Sequence, residues 1–137
     1  MRVLTLDTAT KTGWCGTVEG AVVKTGLLRL DRFVTKDMVG NFQKHPAIVL
    51  EAYRAFSDLA AEFGPDFVVA EIPHLQGGSS FLTVAIYGIA QLVAAEISAG
   101  FYGVHTQQWQ SRIIPAPKLP PLPRLKKGEK RPRPPKG

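Results

Sequence analysis

The sequence predicts an α/β fold built on a mixed five-stranded sheet, with three antiparallel strands first, parallel strands after them, and helices flanking the sheet. Three observations carry this. Residues 3–30 hold three short apolar runs separated by polar and glycine-containing turns. Residues 46–63 space their apolar side chains as a helix does. "DFVVAEIP", residues 66–73, is a short continuous apolar run of the kind found in parallel strands buried on both faces.

The elements follow in order. Val3, Leu4 and Leu6 define a first strand closed by Asp7, and Lys11-Thr12-Gly13 supplies a polar turn into a second strand at 14–18. Glu19-Gly20 turns the chain into a third strand over 21–30, completing a meander. Residues 31–45 are polar and ambiguous. From Pro46, placed to open a helix, Val49, Tyr53, Phe56, Ala60 and Phe63 form one face, and Gly64-Pro65 ends it. The fourth strand then closes at Glu71, and Pro73 stops it. "HLQGGSS" reads as a loop with Ser79 or Ser80 as N-cap of a helix running to about Ala99. In that helix Leu82, Ala85, Ile86, Ile89, Leu92, Val93 and Ile97 form the expected sheet-facing stripe. Val84, Ala90, Ala94 and Ala95 widen it until a second buried contact, such as another subunit, is expected. "FYGVHT" is a fifth strand and "QQWQSRI" the start of a short helix.

At 137 residues and 45% hydrophobic content the chain suits one domain with a real core. The expected division is a folded domain over 1–114 and a basic, proline-rich, disordered arm over 115–137. The net charge of +6 sits in that arm: residues 118–137 carry eight basic side chains against Glu129, a net +7, leaving −1 for the other 117 residues. Eight of the eleven prolines are there too. Such an arm favours polyanions, and Lys126, Lys127, Lys130 and Arg131 are its candidate DNA contacts. The lone Cys15 cannot form an intrachain disulfide and reads as a buried packing residue, which fits a reducing cytoplasm. The apolar stretch 81–97 is broken by Thr83, Gln91 and Glu96, so neither a signal peptide nor a membrane span is expected.

Two carboxylates therefore close strands. Asp7 is either tied to the amides of the Thr8-Ala9-Thr10 turn or aimed into a cleft as a ligand. If the fourth strand pairs beside the first, Asp7 and Glu71 converge. Two such acids repel unless they share a proton or a cation, and hard oxygen ligands without a His/Cys cluster favour Mg²⁺ or Mn²⁺. A phosphodiester substrate suits such a centre. Around it, Lys11 contacts a phosphate or solvates the hairpin. His74 is a stacking or phosphate contact, or a neutral loop residue. Gln76, Ser79 and Ser80 offer a phosphate-holding helix start, without a P-loop lysine. Phe81 reads as core or as a wedge between bases. His105 and Trp109 read as packing groups that close the sheet, and Glu96 lies too far along its helix to be a third acid.

The element order, together with "LTLDTATKTGW", "VVAEIP", the alanine-rich helix with Gly88, and "GVHTQQWQSRI", resembles RuvC-type Holliday junction resolvases, especially small phage-like ones, of the ribonuclease H-like superfamily. The resemblance spans residues 1–114. "LDTAT" also resembles the opening of TsaB-type proteins of the actin-like superfamily, accessory proteins in tRNA modification, but Glu71-Ile-Pro and Trp109 favour the resolvases. The resemblance implies a homodimeric endodeoxyribonuclease of DNA recombination and repair. It would bind branched DNA and hydrolyse phosphodiesters with Mg²⁺, in the cytoplasm of a bacterium or phage-infected cell. Asp7 and Glu71 match the family's first two metal-binding carboxylates. The family places its remaining acids on a later helix, whereas this sequence has no Asp after Asp66 and only Glu129 after Glu96. A non-catalytic nucleic-acid-binding module of the same fold is the alternative.

Overall fold

The computed structural model describes residues 1–74 and 81–105. They form β1 (Arg2–Asp7), β2 (Lys11–Val18), β3 (Ala21–Arg29), α1 (Asn41–Phe63), β4 (Phe67–Glu71), α2 (Phe81–Glu96) and β5 (Gly100–Val104). The sheet order is β3-β2-β1-β4-β5. β1–β2 and β2–β3 are antiparallel, whereas β1–β4 and β4–β5 are parallel. This is the mixed sheet of a ribonuclease H-like fold.

Two turns shape the meander. Between β2 and β3, Glu19 and Gly20 both take positive φ, 50° and 80°, as a two-residue turn matched to strand twist requires. The first turn lies earlier than expected: β2 already begins at Lys11, and the chain reverses over residues 8–10. Thr12 is the cause. It is fully buried, its Oγ1 donates to the Ala9 carbonyl at 2.6 Å, and it accepts from the Ala9 N–H at 3.4 Å. A polar residue that satisfies the turn from within the strand looks like the turn itself in the sequence.

Both helices cover one face of the sheet. Leu4 and Leu6 of β1 and Val68 and Ala70 of β4 join Ala52, Phe56 and Phe63 of α1 and Ile86, Ala90 and Val93 of α2 in a single buried core. Gly16 is required by this packing, since a Cβ there would lie 2.6 Å from the Phe63 ring. The opposite face holds Thr5, Phe67, Tyr102 and Leu27, all exposed, and no described helix covers it. Cys15 belongs to that face by register and is only partly buried, rather than a core residue.

Helix α1 starts five residues before Pro46, which lies inside it. Proline lacks only the bond to residue 42 in the helix's first turns, a modest loss near an end. Gly64 in the left-handed conformation ends the helix as expected. In α2 the buried positions are Ile86, Ala90, Val93 and Ala94, while Ala85 and Leu92, and Ile97 just beyond the helix, are exposed, so the core stripe is rotated from the expected one. Tyr53 of α1 donates its hydroxyl to the Glu96 carboxylate at 2.8 Å, tying the helices together.

The segment between β3 and α1 is pinned onto α1 by an ionic cluster. Glu51, 4% exposed, receives Arg54 at 2.7 Å and Arg32 at 3.3 Å, and Phe33 lies against both guanidinium groups.

Candidate active site

Leu6 of β1 pairs with Ala70 of β4 in parallel register, so Asp7 and Glu71 emerge side by side at the carboxyl ends of adjacent strands. β1 is the strand at which the sheet changes from antiparallel to parallel pairing. The strand order also reverses beside it, running β3-β2-β1 on one side and β4-β5 on the other, and crevices at such a reversal are where open α/β sheets bind ligands. Here a cleft of about 210 Å³ is lined by Asp7, Thr8, Ala9, Glu71, Ile72, Pro73, His74 and Thr83.

Asp7 lines this cleft and is not tied to the turn. Its side chain is exposed, and no amide of the 8–10 turn reaches it among the described residues; the Ala9 N–H goes to Thr12 instead. Burial above all pushes the Glu71 carboxyl above the ordinary carboxylate range. The Asp7 charge and a hydrogen bond with Asp7 add to this, and His74 pulls the other way. Two acids that disfavour joint ionisation form a pair receptive to a proton or a cation. The donor set fits Mg²⁺, which takes hard oxygen ligands and is commonly held by one or two carboxylates with water and substrate phosphate completing the shell. Among the described residues no group of three or more His, Cys, Asp or Glu side chains is arranged to hold a metal.

His74 lines the cleft and is exposed. Lys11 pairs across the sheet with Arg29, two positions beyond the Gly13 that faces Asp7, so it stands at the same end of the sheet as the acids. Gln76, Ser79, Ser80, Trp109, Lys126, Lys127, Lys130 and Arg131 lie outside the described residues. Glu96 is engaged with Tyr53, away from the cleft. Phe81 is 92% exposed, not core, and His105 is exposed at the end of β5 rather than packed. Thr83 was not foreseen as a cleft residue. Its only sequence signal is a hydroxyl in the first turn of a helix that follows an acid-ended strand.

No family model and no curated protein sequence matches this chain. Solved structures do. Thermus thermophilus RuvC superposes with a TM-score of 0.62 at 16% identity, covering 81% of this chain and 68% of that one. T. thermophilus RuvC in complex with Holliday junction substrate gives 0.66 at 12% identity, covering 83% and 70%. The yeast mitochondrial Holliday junction resolvase Ydc2 gives 0.51 at 16% identity, and the chain spans 83% of itself but only 56% of that protein. The class the fold defines is thus ribonuclease H-like. Within it, the chain has a RuvC-like fold.

Proposed function

We propose that the protein is a structure-selective DNA endonuclease that resolves four-way junctions with Mg²⁺ or Mn²⁺. The observation that carries this is the Asp7–Glu71 pair at the carboxyl ends of β1 and β4, on a fold shared with RuvC. Asp7 and Glu71 would hold the metal, which when bound supplies charge for phosphodiester hydrolysis. Asp7 presents its carboxylate from the end of β1, beside the turn that Thr12 fixes, and a cation held there would lower the proton affinity of Glu71. His74, at the cleft rim, would meet the strand being cut. The exposed side of α2, with Val84, Ala85, Gly88 and Leu92 open to solvent, supports a homodimer, which symmetric cleavage of a four-way junction requires.

The lack of a third acid near the pair among the described residues favours a second reading, junction binding without cleavage. Incubation of the full chain with a labelled four-way junction separates the two. Mg²⁺-dependent paired nicks that Asp7→Asn abolishes establish the nuclease. Tight binding with no nicks in Mg²⁺ or Mn²⁺ establishes the module.

A further inference from the structure

Taken by its sum, the stretch 1–117 is slightly acidic, which points most of the DNA affinity to residues 118–137. The structure distributes that charge unevenly. Several of its cations are engaged far from the acid pair: Lys24 pairs with Glu62 at 2.7 Å, and Arg2 donates to the Phe63 carbonyl while lying over the Phe63 ring. Others gather at the Asp7 end. Arg29 ends β3, Arg32 lies in the segment after it, and Lys44 sits near the start of α1.

With Thr10, Asp31, Val34 and Ile48 these three cations line an open groove of about 610 Å³. The one acid in it, Asp31, reaches Arg29 only at 3.8 Å, and Lys44 has no acidic partner among the described residues. Arg32 is held by Glu51 at 3.3 Å, but Glu51 is also the bidentate partner of Arg54, so the carboxylate does not neutralise Arg32 alone. The groove is net positive. Its wall combines the three cations and Thr10 with the apolar Val34 and Ile48.

Position gives it a direction. Lys11 stands opposite Arg29 in the β2–β3 ladder, and Gly13, two residues along, faces Asp7. At ordinary strand spacing Arg29 lies about 12 Å from Asp7. A strand entering the acid cleft can therefore pass over Lys11 and Arg29 into the groove.

We propose that Arg29, Arg32 and Lys44 form a phosphate-binding groove for the DNA backbone, continuous through Lys11 with the Asp7–Glu71 cleft. This rests on the junction-binding reading above and assigns it a surface on the folded body. Phosphate contacts from such a groove fix the register of the strand at the acids without reading sequence.

The test is fluorescence anisotropy of the full chain on a four-way junction from about 50 to 200 mM salt. Arg29→Gln combined with Lys44→Gln should weaken binding and make the log–log salt slope shallower by about 1.8, at about 0.9 per phosphate contact. Lys24→Gln, which removes the same kind of charge at the far end of the sheet, should move neither. Circular dichroism checks folding, and if the double variant is unfolded, Lys44→Gln alone should shift the slope by about 0.9. A wild-type slope in the folded variants, or an equal change in Lys24→Gln, overturns the groove and leaves junction binding intact. No DNA affinity in the unaltered chain overturns both.

Discussion

The Glu51 cluster yields a prediction about asymmetry. Glu51 is 4% exposed, whereas the Arg32 and Arg54 side chains are 55% and 50% exposed. Removing the acid by Glu51→Gln leaves two guanidinium groups that water can reach. The loss is that of charge-assisted hydrogen bonds, partly offset by relief from burying a charge, or about 1–2 kcal/mol. Removing Arg54 by Arg54→Met keeps the apolar stem beside Phe33 but strands a buried carboxylate with Arg32 as its one remaining cation. Breaking a buried pair from that side costs about 3–5 kcal/mol, which half-exposure of the arginine reduces to about 2–3. Urea denaturation at constant m-value measures both variants. If Glu51→Gln proves the more costly, the cluster is not held by desolvation of the acid, and the reasoning fails.

Other outcomes follow from the site and the surfaces. The folded state raises the affinity of Glu71 for its proton, so this group adds stability below the ordinary value of 4.5 that is lost as pH rises through the folded value. Glu71→Gln should therefore melt higher than the native chain at pH 7 and lose that advantage near pH 4; a lower melting temperature at pH 7 would contradict the repulsion. Leu92→Glu, at a 45% exposed position on α2, should yield a folded monomer by sedimentation velocity, and a retained dimer would place the interface elsewhere. Deleting residues 115–137 should flatten the DNA salt slope yet leave about −2 to −3 from the groove cations; an unchanged slope would make the arm a bystander.

Much of the fold was legible because apolar spacing reports burial directly. "DFVVAEIP" and the Val49-to-Phe63 series gave β4 and the body of α1, and the acids at strand ends gave the Asp7–Glu71 pair. Misplaced boundaries share a cause: residues whose local preference was outweighed by their surroundings. Thr12 is polar but satisfied inside a strand, and Pro46 is a helix opener that the first turns of α1 absorb. Phe81 reads in the sequence as core or as a wedge and His105 as a packing group, because each neighbours apolar residues, and both are exposed. The groove was illegible for a different reason. Arg29, Arg32 and Lys44 come from three elements, each a single charge among neighbours of mixed sign, and only the meeting of β3 with α1 makes them a surface.

The parallel pairing of β1 with β4 also orders the assembly of the protein in time. β1, β2 and β3 can close against one another through two short turns, whereas Val3 meets Phe67 only after the whole of β2, β3 and α1 lies between them. Contacts so distant in sequence carry the larger loop-closure cost and are expected to form late. Asp7 and Glu71 then have no electrostatic contact until the final docking of β4, so their repulsion falls on the last step and not on the nucleus. Glu71→Gln should consequently slow unfolding at neutral pH while leaving the folding rate nearly unchanged, and stopped-flow chevrons in which the folding limb moves instead would place β4 docking early. The acids that make the cleft receptive to a cation would thereby also set how readily the sheet opens along its parallel seam, and a bound metal would hold that seam shut.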